Sequence, residues 1–205
     1  MPRWPTLLLA LAGSLLTSQN SLAECECLWE GSFADVQADT DLVISGHVIA
    51  TKGNSIDLAI DQKLRGGHVM SEVRVWLKTL DYCRPEPALF PEQSQWVMAL
   101  YKITDNIPGG FNPSTPNMSY GRIGDYRLSS CGGYWLSQSE NLVTGNLIEA
   151  PRWVRDPDMT PVLLDLLADY VSGTVGTSAL LEASRQDPEL RNLMLDTKAF
   201  LREEN

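Results

Sequence analysis

From residue 42 onward the chain alternates apolar and polar positions with a period of two, the spacing that a half-buried strand imposes on its side chains. Leu42, Ile44, Gly46, Val48 and Ala50 alternate with Val43, Ser45, His47 and Ile49, which predicts a first strand apolar on much of both faces. Lys52-Gly53-Asn54-Ser55 supplies turn chemistry, and Ile56, Leu58 and Ile60 then alternate with Asp57, Ala59 and Asp61 in a second strand. Arg65-Gly66-Gly67 breaks the pattern. Val73, Val75 and Leu77 alternate with Arg74, Trp76 and Lys78, the clearest strand signal in the chain, and this third strand runs into Cys83. After Pro85, Pro87 and Pro91, a fourth strand is predicted from Trp96 to Ile103. Thr104 to Asp125 is rich in proline, glycine and asparagine and has no period. A loop of that length is usually functional or disordered. Tyr126 to Ser130 resumes extended structure before Cys131-Gly132-Gly133-Tyr134-Trp135, and Leu142 to Ile148 predicts a further short strand. Short strands, closely spaced turns and no intervening helices indicate a small barrel or sandwich.

Beyond Pro151 the period changes. Thr160-Pro161 is a good N-cap and first-turn pair, and Val162, Leu163, Leu166, Leu167 and Tyr170 fall on one helical face that Ser172-Gly173 ends. Ser178 to Gln186 reads as helical. Asp187-Pro188-Glu189 opens another helix, with Leu190, Leu193, Met194, Thr197 and Leu201 as its stripe. The fold class is therefore mainly β with an α appendage over residues 151–205, whose apolar stripe is read as packing against the barrel.

The start of the chain changes the picture. Arg3 is a short positive region, Leu7 to Leu16 is an apolar stretch, and Ser21-Leu22-Ala23 ends it with residues suited to a signal peptidase. Residues 1–23 read as a signal peptide, too short in its apolar part for a membrane span of about 20 residues. Glu24 is neither small nor neutral, which argues against a lipid anchor on Cys25. The expectation is a secreted or periplasmic protein without membrane insertion. Lys and Arg number 16 against 26 Asp and Glu, a formal net charge of −10, and loss of Arg3 with the leader makes it more negative. Such a balance argues against nucleic acid as a partner.

Four cysteines in an exported chain suggest two disulfides. A Cys25–Cys27 bridge would close a strained ring. The productive pairings send each of these to Cys83 or Cys131, closing loops of more than about fifty residues, worth about 4 kcal/mol each in the chain-entropy account. Cys-x-Cys with two remote single cysteines lacks the paired spacing of zinc sites, so disulfides are the favoured reading.

The order of these features resembles the N-terminal domain of the tissue inhibitors of metalloproteinases, in the netrin-like group of OB-fold barrels. Cys25-Glu26-Cys27 opens the exported chain, and Asp41-Leu42-Val43-Ile44-Ser45-Gly46-His47-Val48 follows as first strand. Cys83 closes the third strand, and Leu128-Ser129-Ser130-Cys131 precedes an aromatic pair. The resemblance covers residues 24–150 and implies a five-stranded Greek-key OB-fold barrel with bridges Cys25–Cys83 and Cys27–Cys131. The family's third bridge would need a cysteine near Ala38, so this is a reduced version with two disulfides. The tail has no cysteine, hence no counterpart of the animal inhibitors' second domain.

The resemblance also implies a protein-binding role rather than an enzyme. Its sharpest form is inhibition of a zinc metalloprotease. The α-amino group and carbonyl oxygen of the first cysteine, here Cys25, would chelate the target's zinc. Glu26 would enter the specificity pocket, with Asp81-Tyr82 flanking it, so the partner-binding edge comprises Cys25, Glu26, Cys27, Leu28, Asp81 and Tyr82. Chelation requires Cys25 to be the mature N-terminus, because after cleavage at Ala23 its nitrogen is an amide. The protein carries no metal or cofactor of its own in this reading. Alternatives are a non-inhibitory envelope or extracellular interaction domain, and a thiol–disulfide oxidoreductase using Cys25 and Cys27. Redox centres of the thioredoxin type, however, use Cys-x-x-Cys on a βα turn.

Other candidate chemistry is thin. His47 and His68 are the only histidines, read as a hydrogen-bonded strand residue and a turn residue. Asp57 and Asp61 read as a solvated strand face. Trp29, Trp76, Trp96, Trp135 and Trp153 read as core and lid packing. Asn117-Met118-Ser119 is a glycosylation sequon.

Overall fold

The computed structural model describes residues 25–79, 82–105, 120–149 and 159–185. The expected signal peptide, Asp81, most of the long loop with its sequon, Trp153 and the last expected helix lie outside them. Among the described residues eight strands form one sheet: β1 (Leu42–Lys52), β2 (Ser55–Arg65), β3 (Glu72–Trp76), β4 (Gln95–Lys102), β5 (Tyr126–Arg127), β6 (Trp135–Ser139), β7 (Leu142–Thr144) and β8 (Val162–Leu163). Strands β1-β2-β3-β5-β4 are neighbours in that order, and β4 returns to β1, closing a five-stranded barrel. Only β3–β5 is parallel; the other barrel pairs are antiparallel. This is the connectivity of an OB-fold-like barrel.

Closure follows from β1. It pairs with β2 along one edge and, from Leu42 to His47, with β4 along the other. Its register with β2 shifts between Val43 and Ile44, between Ser45 and Gly46, and between Val48 and Ala50. Bulges of this kind bend and twist a strand, which a closed barrel of so few strands requires. At Gly46 the backbones come close: a Cβ there would sit 2.3 Å from the Ala59 carbonyl oxygen. The core joins Leu42, Ile44, Val48, Ile56, Leu58, Val75, Leu77, Val97, Leu100, Leu128 and Leu136, all fully buried.

The anticipated strands are present with altered bounds: β2 runs on to Arg65, β3 ends at Trp76 and does not run into Cys83, β5 spans only Tyr126–Arg127 and β7 only Leu142–Thr144. Strand β6 was not anticipated, because Leu136 is its only buried side chain. Its extended form comes from pairing with β4, Val97 opposite Leu136. The tail also departs from expectation. Val162 and Leu163 pair with Val143 and Leu142 as β8, and helix α2 (Leu164–Val171) begins only after them. The ladder claims the backbone that Thr160-Pro161 was expected to start coiling. Thr160 instead donates its hydroxyl to the Arg185 carbonyl, 2.5 Å away, beyond helix α3 (Thr177–Ala183). Leu164, Leu167, Val171 and Leu180 join the barrel's core cluster, so the described part of the tail covers the barrel. A short helix the sequence reading lacked, α1 (Phe33–Val36), sits ahead of β1. The Asp35 carboxylate accepts hydrogen bonds from the Ser32 backbone N–H (2.8 Å) and hydroxyl (2.6 Å), which fixes its first turn. Among the described residues no helix is long and apolar enough to cross a membrane.

Candidate functional site

The site is built from the first irregular residues of the described chain. Cys25 is bridged to Cys83 and Cys27 to Cys131. These are the pairings implied by the family resemblance, and no free cysteine remains among the described residues. The sulfurs of both bridges converge, all four within 4.8 Å of one another.

Between and beyond the bridges the arm alternates. Cys25 and Cys27 are half-buried, Glu26 is exposed, and Leu28 is 90 % exposed. With the two cysteines held by sulfur and half-buried, Glu26 between them and Leu28 after them are the side chains left to solvent. A large aliphatic side chain left this open on a covalently fixed backbone is the most conspicuous feature of the edge.

The segment that follows is held by main-chain bonds. Glu30 N–H donates to the Cys131 carbonyl at 2.8 Å, Gly133 N–H to Gly31 at 2.9 Å, and Phe33 N–H to Asn146 at 2.7 Å. Gly133 is needed there, since a Cβ would lie 2.7 Å from both the Phe33 nitrogen and the Asn146 oxygen. Ser130 N–H donates to the Cys83 carbonyl at 3.0 Å, so the segments carrying the two downstream cysteines are joined independently of sulfur.

Of the flanking pair, Asp81 lies outside the described residues, and Tyr82 is half-buried beside Cys83. Its ring packs edge-on to Tyr120, with centroids 5.1 Å apart, and lies beneath the Arg84 guanidinium at 4.9 Å. The structure thus brings together Cys25, Glu26, Cys27, Leu28, Tyr82, Cys83 and Cys131.

Arg84 was missed in the sequence. It is 5 % exposed; Nη1 donates to the Tyr120 carbonyl at 2.8 Å, and Nη2 has no hydrogen-bond partner. Burial, then the like charge of Arg127, push its pKa down to about 10. Nothing in the sequence around Arg84 distinguishes it from a surface arginine. A second missed group is the chain Glu30–Tyr134–Tyr101. The Tyr134 hydroxyl donates to the Glu30 carboxylate and lies 3.1 Å from the Tyr101 hydroxyl. Burial, then the Glu30 hydrogen bond, hold the Tyr134 phenol well above its ordinary range, so it stays a neutral donor. Arg127 covers the Tyr101 ring at 4.6 Å.

The remaining candidates are structural. His47 Nδ1 pairs with Asp61 at 3.0 Å. His68 bridges the Tyr126 hydroxyl (3.2 Å) and the Glu72 carbonyl (3.0 Å). Asp57 is no solvated face. Its side chain is 12 % exposed, accepts two bonds from Arg74 at 2.7 and 2.9 Å, and pairs with Lys52 at 3.0 Å. Trp76 donates to Asp125 at 2.8 Å, while Trp96 and Trp135 pack edge-on to Phe90. Comparison of the chain with protein-family models, curated proteins and solved structures finds no match.

Proposed function

We propose that this chain is a protein-binding module of the kind represented by the N-terminal domain of the tissue inhibitors of metalloproteinases. In this reading it presents the arm from Cys25 to Leu28, with Tyr82 beside it, to a partner. One observation carries the proposal: Leu28 stands 90 % exposed on a backbone fixed on its N-terminal side by two adjacent bridges. Ordering an arm on binding costs free energy, and an arm already ordered avoids that cost. The leader pattern and the bridges support action outside the reducing cytosol.

In its sharpest form the partner is a zinc metalloendopeptidase, whose metal would be chelated by the Cys25 amino group and carbonyl oxygen. The test is a titration of two preparations, one beginning at Cys25 and one at Glu24, against several zinc endopeptidases. Inhibition by the first and its loss in the second is the expected result. No inhibition by either at micromolar concentration ends the inhibitor form.

A second reading, a non-inhibitory extracellular interaction domain, is favoured by Glu26. Its carboxylate faces solvent on the working side of the arm, and placing it in an apolar pocket would cost several kcal/mol (~3–5). This reading calls for a partner with a cationic lining beside an apolar contact for Leu28. Binding that survives retention of Glu24 but weakens on Glu26→Lys would support it.

A further inference from the structure

Four cysteine sulfurs meet at one place on this barrel, drawn from positions up to 106 residues apart in the numbering. Their mutual distances are all within 4.8 Å. A tetrahedral zinc site with Zn–S near 2.3 Å sets its sulfurs about 3.8 Å apart. The cluster therefore has the donor type and number of a closed zinc site: at its widest it needs to contract by about 1 Å, and the sulfurs of each bridge, about 2 Å apart while bonded, need to separate by about 1.8 Å once reduced.

The surroundings suit such a site even without sulfur–sulfur bonds. The Ser130–Cys83 and Glu30–Cys131 main-chain bonds hold the downstream pair together and tether the arm three residues past Cys27. Cys131 N–H is further fixed by the Ser129 hydroxyl at 3.1 Å. Charge also fits. Four thiolates around a divalent zinc carry a net double negative charge. Arg84, next to Cys83, is a buried guanidinium with an unpartnered Nη2, and among the described residues no carboxylate forms an ion pair with it or with Arg127. Nearby cations favour the thiolate form that binds metal.

We infer that the reduced chain binds a thiophilic divalent cation, zinc, through Cys25, Cys27, Cys83 and Cys131. The same sulfurs then have two states, one bridged twice and one clasped around a metal. Two equivalents of a dithiol reductant deliver four electrons and four protons to the two bridges, giving four thiols and two molecules of the reductant's own disulfide. Zinc binding then releases the four thiol protons to solvent. Reoxidation by two equivalents of a small-molecule disulfide reverses this: each takes two electrons from the sulfurs and two protons from solvent to become two thiols, the two bridges re-form and the ion is freed. In either state the arm stays attached to the barrel, so Leu28 and Glu26 remain presented. The inference does not depend on what the arm binds.

Cobalt(II) is the probe. The full exported chain is reduced under argon with a phosphine, freed of reductant and titrated with cobalt. Expected are the intense visible bands and thiolate charge-transfer absorption of a four-sulfur tetrahedral site, at one ion per chain, lost on addition of zinc. Cys25→Ala with Cys83→Ala, and Cys27→Ala with Cys131→Ala, should each lose the four-sulfur spectrum. Circular dichroism covers the case of a reduced chain that unfolds: refolding on adding zinc supports the site, and failure to refold overturns it. A pale octahedral spectrum, or an unchanged spectrum in either paired variant, also overturns it.

Discussion

Replacing Cys27 and Cys131 together by alanine removes a bridge that spans 104 residues, and replacing Cys25 and Cys83 removes one that spans 58. Taken alone, loops of those lengths are worth about 4.7 and about 4.2 kcal/mol in the chain-entropy account. The loops interleave, however, because residues 27–83 belong to both. With Cys27–Cys131 intact, Cys83 lies on that ring and Cys25 only two residues outside it, and their effective separation falls to about 28 residues. Losing Cys25–Cys83 should then cost about 3.6 kcal/mol. With Cys25–Cys83 intact, the effective separation of the other pair is about 50 residues, and its loss should cost about 4.1 kcal/mol. Removing both should cost about 8 kcal/mol, slightly more than the two single losses together, because the second loss then opens the longer ring. A domain of this kind has about 5–15 kcal/mol in all, so the chain without bridges should be unfolded or nearly so. Guanidinium unfolding followed by circular dichroism gives each value, with the slope reporting on the denatured state. A cost below about 1 kcal/mol for either pair, at unchanged slope, would refute the crosswise anchoring on which the proposed binding edge depends.

Three further outcomes are expected. Arg74 foremost holds the Asp57 carboxyl below its ordinary range. The stability this adds is present above about pH 4 and is lost as pH falls through the lowered value. Arg74→Met should therefore cost about 2 kcal/mol at neutral pH and flatten the acid limb of a plot of urea midpoint against pH; parallel curves would contradict this. Gly46→Ala forces a Cβ against the Ala59 carbonyl and should lower stability by about 2 kcal/mol, read as a fall in thermal midpoint. Leu28→Asp should change stability by no more than about 0.5 kcal/mol, as exposed substitutions do, while reducing partner capture in a surface-binding assay; a large stability loss would mean that Leu28 is packed.

The strand period and the cysteine positions were legible without coordinates because both are local. The pleat of a single strand turns alternate side chains to opposite faces, which shows as alternation in β2 and β3, while β1 and β4, buried on both faces over four or five successive residues, show as apolar runs. Strand β6 carries one buried side chain and stayed hidden. The start of α2 was misplaced for a related reason: Thr160-Pro161 has the chemistry of a helix start, but the nearby edge of β7 captured Val162 and Leu163 first. The site divides in the same way. Its cysteines and the alternation of Glu26 and Leu28 are in the sequence, whereas the burial of Arg84 and the Glu30–Tyr134–Tyr101 chain are not.

By itself, then, the sequence determined a β-rich chain with a cysteine-bearing start and a helix-forming tail, together with the residues available to an edge. The tertiary structure decided that β4 closes on β1, that four sulfurs converge within 4.8 Å, and that the Arg84 guanidinium is buried with no ion pair among the described residues. Those are relations between positions tens of residues apart, set by which strand edges pair and how far bulges bend them. A local pattern of apolar and polar residues carries no record of them.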